Sequence, residues 1–167
     1  EEVVGDVKSP GAGSLIALHS HGIETGFKDE ELAEIARLEP VTMGDRTDLR
    51  GIPLITIDPE DARDHDDAVW AAADEDAKNP GGWVVLVAIA DVSAYVTAGS
   101  ALDRGALRRG NSTYLPDRVV PMLPERLSND LCSLREKEER PCLAVRMVFD
   151  KDGNKRSHTF IRGWMRS

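Results

Sequence analysis

Short apolar runs separated by polar segments predict a protein built from strands and short helices. The clearest run, residues 83–92 (WVVLVAIADV), is apolar at nearly every position, which is typical of a strand buried on both faces of a sheet. Residues 54–57 and 68–73 predict two further strands. Alternating apolar residues at Leu143, Val145, Met147 and Phe149, followed by the turn sequence Lys-Asp-Gly-Asn, predict a hairpin whose second strand covers 156–164.

Helix signals lie between these strands. A helix is predicted from Asp29, which can cap it, to a stop at Pro40. Ser100 and Asp103 have capping-box spacing and predict a second helix, with Gly110 just beyond its end. Residues 125–134 predict a third, residues 111–126 an extended path with three prolines, and residues 1–27 a Gly-rich connector. The pattern predicts an α+β fold, with a mixed or mainly antiparallel sheet and short helices.

Composition is that of a soluble globular chain. The 167 residues are 41% hydrophobic and 31% charged, and the longest apolar run is far too short to cross a membrane. The N-terminus lacks the features of a secretory signal, and the two cysteines have no CxxC spacing. We therefore expect a cytoplasmic protein with reduced thiols and no membrane partner.

The net charge of −9 argues against strong nucleic-acid binding by this chain alone, because phosphate contacts by Lys and Arg dominate such affinity. A nuclease active site is still compatible with this charge, since bound metal ions would offset the local carboxylates.

Residues 58–67 (DPEDARDHDD) hold six acids and one Arg between two apolar runs. Carboxylates converge only when protons or a cation offset their repulsion, which is about 4 kcal/mol at 4 Å and an effective dielectric near 20. All-oxygen ligands favour a hard cation such as Mg²⁺. A metal site for phosphodiester hydrolysis and a hydrated surface loop both remain open on the residues alone. An EF-hand is excluded, since its Gly and Glu positions hold Arg63 and Val69.

Residues 56–68 resemble the acidic signature of the ribonuclease II / ribonuclease R family of 3′-to-5′ exoribonucleases, with the ribonuclease R branch the nearer match. Further segments follow in the order and spacing of that family. They cover residues 87–93 (VAIADVS), 100–104 (SALDR), 114–116 (YLP), 121–125 (PMLPE) and 127–134 (LSNDLCSL).

The resemblance implies roles for five residues. Asp58, Asp64, Asp66 and Asp67 correspond to four carboxylates around Mg²⁺, and Asp66 to the one most critical for cleavage. Tyr114 corresponds to an aromatic that stacks on a base near the RNA 3′ end, whereas without the resemblance it would be interpreted as a core-edge aromatic. His65 departs from the family, which more often has an apolar residue there; it is either a polar group supporting the ligands or a tolerated substitution.

The resemblance also implies a domain division. Residues 1–49 correspond to a connector, with one helix, from a preceding cold-shock-like domain, and residues 50–167 to the N-terminal part of an RNB-type catalytic domain. A later Ser-Pro-Ile-Arg-Arg-Tyr-like segment of the family, with its phosphate-binding arginine, is not in the sequence. We therefore expect the isolated chain to be inactive and to self-associate, or to be partly disordered near its ends, especially over residues 1–20.

Three hypotheses follow from the sequence. The first is a piece of an exoribonuclease that acts with Mg²⁺ on the 3′ end of single-stranded RNA and releases nucleoside 5′-monophosphates. The second is a catalytically incomplete remnant that acts as a binding or interaction module. The third, weaker, is a different metal-dependent phosphoesterase that acts on small phosphate esters.

Overall fold

The computed structural model describes residues 10–167, so the part of the connector prediction that falls on residues 1–9 lies outside the described residues. The chain divides into two compact units. Among the described residues, one unit comprises residues 10–38 together with Val96–Glu125, and the other comprises Glu39–Tyr95 together with Arg126–Ser167. The 1–49 and 50–167 division from the sequence stays a prediction.

The second unit is built on a five-stranded sheet. Its strands are β1 (Thr47–Asp48), β2 (Asp67–Ala73), β3 (Trp83–Ala90), β6 (Glu139–Phe149) and β7 (Lys155–Arg166). They lie side by side in the order β1-β7-β6-β3-β2. All neighbouring pairs are antiparallel except β1 and β7, which are parallel. A 3₁₀ turn (Val92–Ala94) and a π-helical turn (Leu127–Leu131) complete the unit. The prediction of an α+β fold with a mixed, mainly antiparallel sheet is confirmed.

The two faces of this sheet differ in burial. Ala68, Ala88 and Ala144 are directly opposite one another on β2, β3 and β6, and each is at most 1% exposed. The next row holds Asp67, Ile89 and Leu143, and both apolar members are 47% exposed. Since successive strand residues point to opposite faces, Asp67 lies on the open face of the sheet.

The other unit contains three helices and a small hairpin. The helices are α1 (Ala12–Ser20), α2 (Asp29–Ala36) and α3 (Ala101–Arg109), and the hairpin strands are β4 (Thr113–Leu115) and β5 (Arg118–Val120). The predicted capping of α3 is confirmed: the Asp103 N–H donates to Ser100 Oγ (3.3 Å), and Gly110 follows the helix with φ of 77°. A bidentate pair between Arg109 and Glu31 joins α3 to α2.

Three local predictions are wrong. Residues 12–20, predicted as a connector, form α1. Residues 113–120, predicted to be extended and irregular, form the β4–β5 hairpin. Residues 54–57, predicted as a strand, form a single bridge at Ile55, because the next hydrogen-bonded position of the antiparallel ladder is Pro53, which has no N–H to donate.

Within residues 10–167, no helix combines the length and the apolar character that crossing a membrane requires.

Candidate functional site

The acidic residues 58–66 form a loop closed by one β-bridge. Ile55 and Val69 exchange two backbone hydrogen bonds, of 3.0 and 2.8 Å, so the chain leaves the sheet after Ile55 and returns along β2. Pro59 starts a tight turn in which the Ala62 N–H donates to its carbonyl (3.0 Å). The Ala90 N–H, at the end of β3, donates to the Asp66 carbonyl (2.9 Å). The loop is therefore irregular but fixed to the sheet at both ends.

Three aspartates of this loop and Asp67, the first residue of β2, interact electrostatically. Partial burial of Asp66 raises its pKa, and the charges of Asp64, Asp67 and Asp58 raise it further. Asp64 is half-buried, and Asp58 and Asp67 are open to solvent; Asp66 also reaches solvent, but the protein around it removes part of its hydration. The arrangement brings three other negative charges close enough to affect Asp66, which is the condition under which a cation is attracted.

The carboxylates suit a hard cation by their chemistry but do not form a finished ligand set. In the described range 10–167, no three His, Cys, Asp or Glu side chains are grouped closely enough to hold a metal ion. Oxygen donors alone are what Mg²⁺ or Ca²⁺ requires. Burial is the main cause of the raised pKa of Asp66, and the repulsion by the neighbouring carboxylates that adds to it is what such an ion would relieve. The residues therefore fit a divalent cation if their side chains close around it.

A fifth acid near the end of β3, Asp91, is already neutralised. Its carboxylate lies 2.7 Å from Nη1 of Arg46 and 3.9 Å from Nη2 of Arg162, and the side chains of Arg46 and Asp91 are only 6% and 5% exposed. Burial works to raise the pKa of Asp91, but hydrogen bonds from Ser93 and Arg46 outweigh it and leave the pKa lowered. Asp91 is thus an ion-paired structural acid, which the family-like segment 87–93 alone did not reveal.

His65 points back into its own loop. Its Nε2 lies 3.2 Å from the Ala62 carbonyl, and its Nδ1 is the one buried side-chain N or O atom among residues 10–167 without a hydrogen-bond partner. The ring therefore packs within the loop. Both interpretations of His65, as a polar group that supports the ligands and as a tolerated substitution, stay predictions.

Cys132 lies near the acidic loop but has no character of a metal ligand. Burial raises the pKa of its thiol to about 12, and the negative charges of Asp66 and Asp91 add to the effect. The thiol of Cys132 therefore stays protonated. Because metals bind the thiolate form, Cys132 is a core residue and not a metal ligand. Both cysteines are free and buried.

Tyr114 belongs to the unit that contains the three helices, where it lies at the centre of β4. It is 63% exposed and lies opposite Val119 of β5, which is 49% exposed. An aromatic ring with this exposure can stack on a planar group. The exposure argues against the core-edge interpretation, and the stacking role stays a prediction.

Sequence reasoning missed one component of the acidic site, Ser133. It is fully buried, and its hydroxyl contacts the backbone of the loop at Arg63 and His65. It lies in the segment 127–134, whose order matched the family, but a single serine in an apolar context carries no signal of such a contact.

Comparison with known proteins identifies the family. The RNB domain matches residues 46–167. Ribonuclease R of Acidithiobacillus ferrooxidans is 46% identical over 166 residues, which cover 97% of this chain and 37% of that protein. The chain thus spans little more than a third of that relative.

Solved structures share the fold. RNase R of Mycoplasma genitalium, in complex with ribose-methylated single-stranded RNA, matches with a TM-score of 0.90 and 31% identity over all of this chain and 26% of its own. Yeast Ssd1, a pseudonuclease, matches with a TM-score of 0.76 at 17% identity, over 98% of this chain and 21% of its own, which is a likeness of fold alone. With the match to residues 46–167, the chain belongs to the RNB domain family.

Proposed function

We propose that the intact protein carrying this chain is a 3′-to-5′ exoribonuclease that hydrolyses RNA with Mg²⁺ and releases nucleoside 5′-monophosphates. The observation that carries the proposal is the coupling of Asp66 to Asp58, Asp64 and Asp67, within a chain whose RNB match begins at residue 46. Ribonuclease R relatives and the RNA complex of one of them support the choice of RNA as substrate.

The four aspartates would hold the cation, with Asp66 the most critical for cleavage. Bound Mg²⁺ supplies positive charge that offsets the carboxylates and the phosphate, and it lowers the pKa of water. In the overall reaction, a water oxygen bonds to the terminal phosphorus while the bond to the 3′ oxygen of the preceding nucleotide breaks. That 3′ oxygen takes a proton and becomes the new end of the RNA.

Tyr114 would stack on a base near the 3′ end. Every base presents a π-face, so stacking binds RNA independently of its sequence. An enzyme that degrades RNA processively requires such sequence-independent binding. The exposed ring on the β4–β5 hairpin supports this role. The net charge of −9 fits a protein in which the metal site and regions outside this chain supply most of the attraction for phosphate.

The test is a cleavage assay on the intact protein with single-stranded RNA labelled at either end. We expect nucleoside 5′-monophosphates to leave the 3′ end first, with no cleavage when a chelator removes divalent ions. Internal cuts, or release from the 5′ end, would contradict the proposal. Hydrolysis of small phosphate esters without attack on RNA would favour a different phosphoesterase.

A catalytically incomplete binding module is the second candidate. It is favoured by the absence of a finished ligand group among residues 10–167 and by the same fold in a pseudonuclease. RNA binding without cleavage by the intact wild-type protein, over a range of divalent ions, would support it. A cytoplasmic location stays a prediction.

A further inference from the structure

The acidic loop has no regular secondary structure, yet consecutive peptide groups within it are hydrogen-bonded to one partner segment. The Ser133 hydroxyl donates to the Arg63 carbonyl (2.8 Å), and the His65 N–H donates to Ser133 Oγ (3.1 Å). The Leu134 N–H donates to the His65 carbonyl (2.9 Å). Residues 133–134 therefore hold the backbone on both sides of Asp64 and up to Asp66.

A single atom makes both contacts of Ser133, and a hydroxyl oxygen is the group that makes both of them well. One peptide group presents a carbonyl and the next presents an N–H, so the bridging atom must donate and accept at once, as the oxygen of Ser or Thr does. Ser133 is 0% exposed, so loss of its hydroxyl would leave both peptide groups short of a partner in a place that water does not readily reach.

The serine is itself fixed in place. Its carbonyl accepts hydrogen bonds from the Arg135 N–H (2.9 Å) and from Nε of Arg140 (3.1 Å). The side chain of Arg140 is 15% exposed and is also paired with Glu138. Ser133 holds the loop at one point, and the hydrogen bond from the Ala90 N–H to the Asp66 carbonyl holds it at a second point of the same unit.

Confinement matters because the four aspartates repel one another. Without a cation, repulsion favours any loop movement that separates the carboxylates, and a loop without a ladder of its own has little to resist it. We propose that Ser133 is a positioning residue, which fixes the backbone on both sides of Asp64 and up to Asp66 so that these side chains can close around a divalent cation. The inference rests on the proposed function only for the cleavage readout.

The test compares Ser133→Ala with wild type in the intact protein and uses Val84→Ala as the control. Val84 is a buried residue of β3, opposite Ala72 and Val148, away from the acidic loop, and its truncation lowers stability without touching the loop. For Ser133→Ala we expect amide exchange of residues 63–66 to rise about tenfold. The Mg²⁺ concentration for half-maximal binding, measured by calorimetry, should rise roughly fivefold or more.

In the cleavage assay, kcat at fixed Mg²⁺ should fall while KM for RNA stays unchanged, and added Mg²⁺ should restore part of the loss. Val84→Ala should lower Tm with none of these changes. If Ser133→Ala does not fold, Ser133→Cys replaces it, because the thiol has nearly the same size but donates and accepts weakly. Ser133→Cys should also speed amide exchange of the loop and weaken Mg²⁺ binding, but by smaller factors than expected for Ser133→Ala.

Unchanged loop exchange, or equal changes in Mg²⁺ affinity for Ser133→Ala and Val84→Ala, would overturn the role of Ser133. Failure of the proposed function has a different signature. In that case wild-type protein does not cleave RNA at all, while the exchange and Mg²⁺-binding readouts still decide whether Ser133 positions the carboxylates.

Discussion

At the scale of residues, the chemistry of the acidic loop could be predicted from the sequence more fully than its geometry. The acidic run favoured a cation site, the resemblance indicated Asp58, Asp64, Asp66 and Asp67, and in the structure the charges of the other three act on Asp66. The contact of Ser133 with the loop was not predictable, because its partner, the Arg63 carbonyl, is 70 positions away and the local sequence pattern does not reveal such a hydrogen bond. The assignment of metal and RNA roles to these residues stays a prediction.

Asp66→Asn in the intact protein is expected to reduce RNA cleavage by at least about 10²–10³-fold, a range typical of losing one group that stabilises transition-state charge. The affinity for RNA should stay largely intact, because the substitution removes negative charge and no phosphate contact. Single-turnover cleavage and a separate binding titration check the two parts. Asp61→Asn, an exposed acid of the same loop, is the matched control. Retained cleavage by Asp66→Asn would contradict the role of Asp66.

Tyr114→Ala is expected to weaken binding of short single-stranded RNA by roughly 5–150-fold, which corresponds to the ~1–3 kcal/mol of one base–aromatic stack. Tyr114→Phe keeps the ring and should bind like wild type. Fluorescence anisotropy with labelled RNA measures both. A loss of similar size in the two variants would mean that the hydroxyl, and not the stacking face, makes the contact.

At the scale of elements, strong local signals gave correct predictions and weak ones did not. The run over residues 83–92 was confirmed as β3, two residues shorter, and the cap of α3 was found as expected. Helix α1 was missed because Gly11 and Gly13 suggested a flexible turn. In the structure, Gly11 has φ of 80° and precedes the helix, and Ser14 donates a hydrogen bond to Asp117 of the same unit.

Two helix glycines should respond in opposite ways to alanine. A Cβ on Gly105 would lie 1.5 Å from Oε1 of Glu31 and 2.8 Å from Nη1 of Arg109, so Gly105→Ala displaces the buried pair between α2 and α3. We expect destabilisation of about 3 kcal/mol or more. Gly13→Ala meets no atom within 4 Å and should stabilise by up to about 1 kcal/mol. Urea unfolding measures both, and equal effects would contradict the packing at Gly105.

We predict that protonation of the Glu31 carboxylate at acid pH lowers the stability of the fold. The hydrogen bond from Arg109 lowers the pKa of Glu31 and outweighs burial, which works to raise it. Because the folded pKa lies below the unfolded value of about 4.5, the stabilisation is present above that value and is lost as pH falls through the folded pKa. Glu31→Gln should be less stable than wild type at pH 7 and should lose less stability as pH falls below about 4.5.

Urea midpoints across that pH range test this prediction. Exposed Glu30→Gln, at the neighbouring position of α2, serves as the control and should follow the wild-type curve more closely. An unchanged slope of stability against pH in Glu31→Gln would show that other groups cause the acid transition.

At the scale of the whole molecule, the resemblance in sequence carried the prediction further than local patterns could. The order of the segments from residue 56 to residue 134 indicated the family, and the RNB match from residue 46 to residue 167 bears this out. The two compact units were not predicted, because each draws on residues far apart in the chain, and such assembly depends on contacts without local signals. Self-association of the isolated chain and its inactivity stay predictions.

The most direct test of the central claim is Mg²⁺ binding by titration calorimetry on the intact protein, with the double variant Asp66→Asn, Asp67→Asn beside it. The control is Glu60→Gln, Asp61→Asn, which removes the same charge from exposed positions of the same loop. We predict that the control binds Mg²⁺ like wild type and that the Asp66, Asp67 variant does not. Equal binding by all three proteins, or no binding by wild type, would contradict a metal site in the acidic loop.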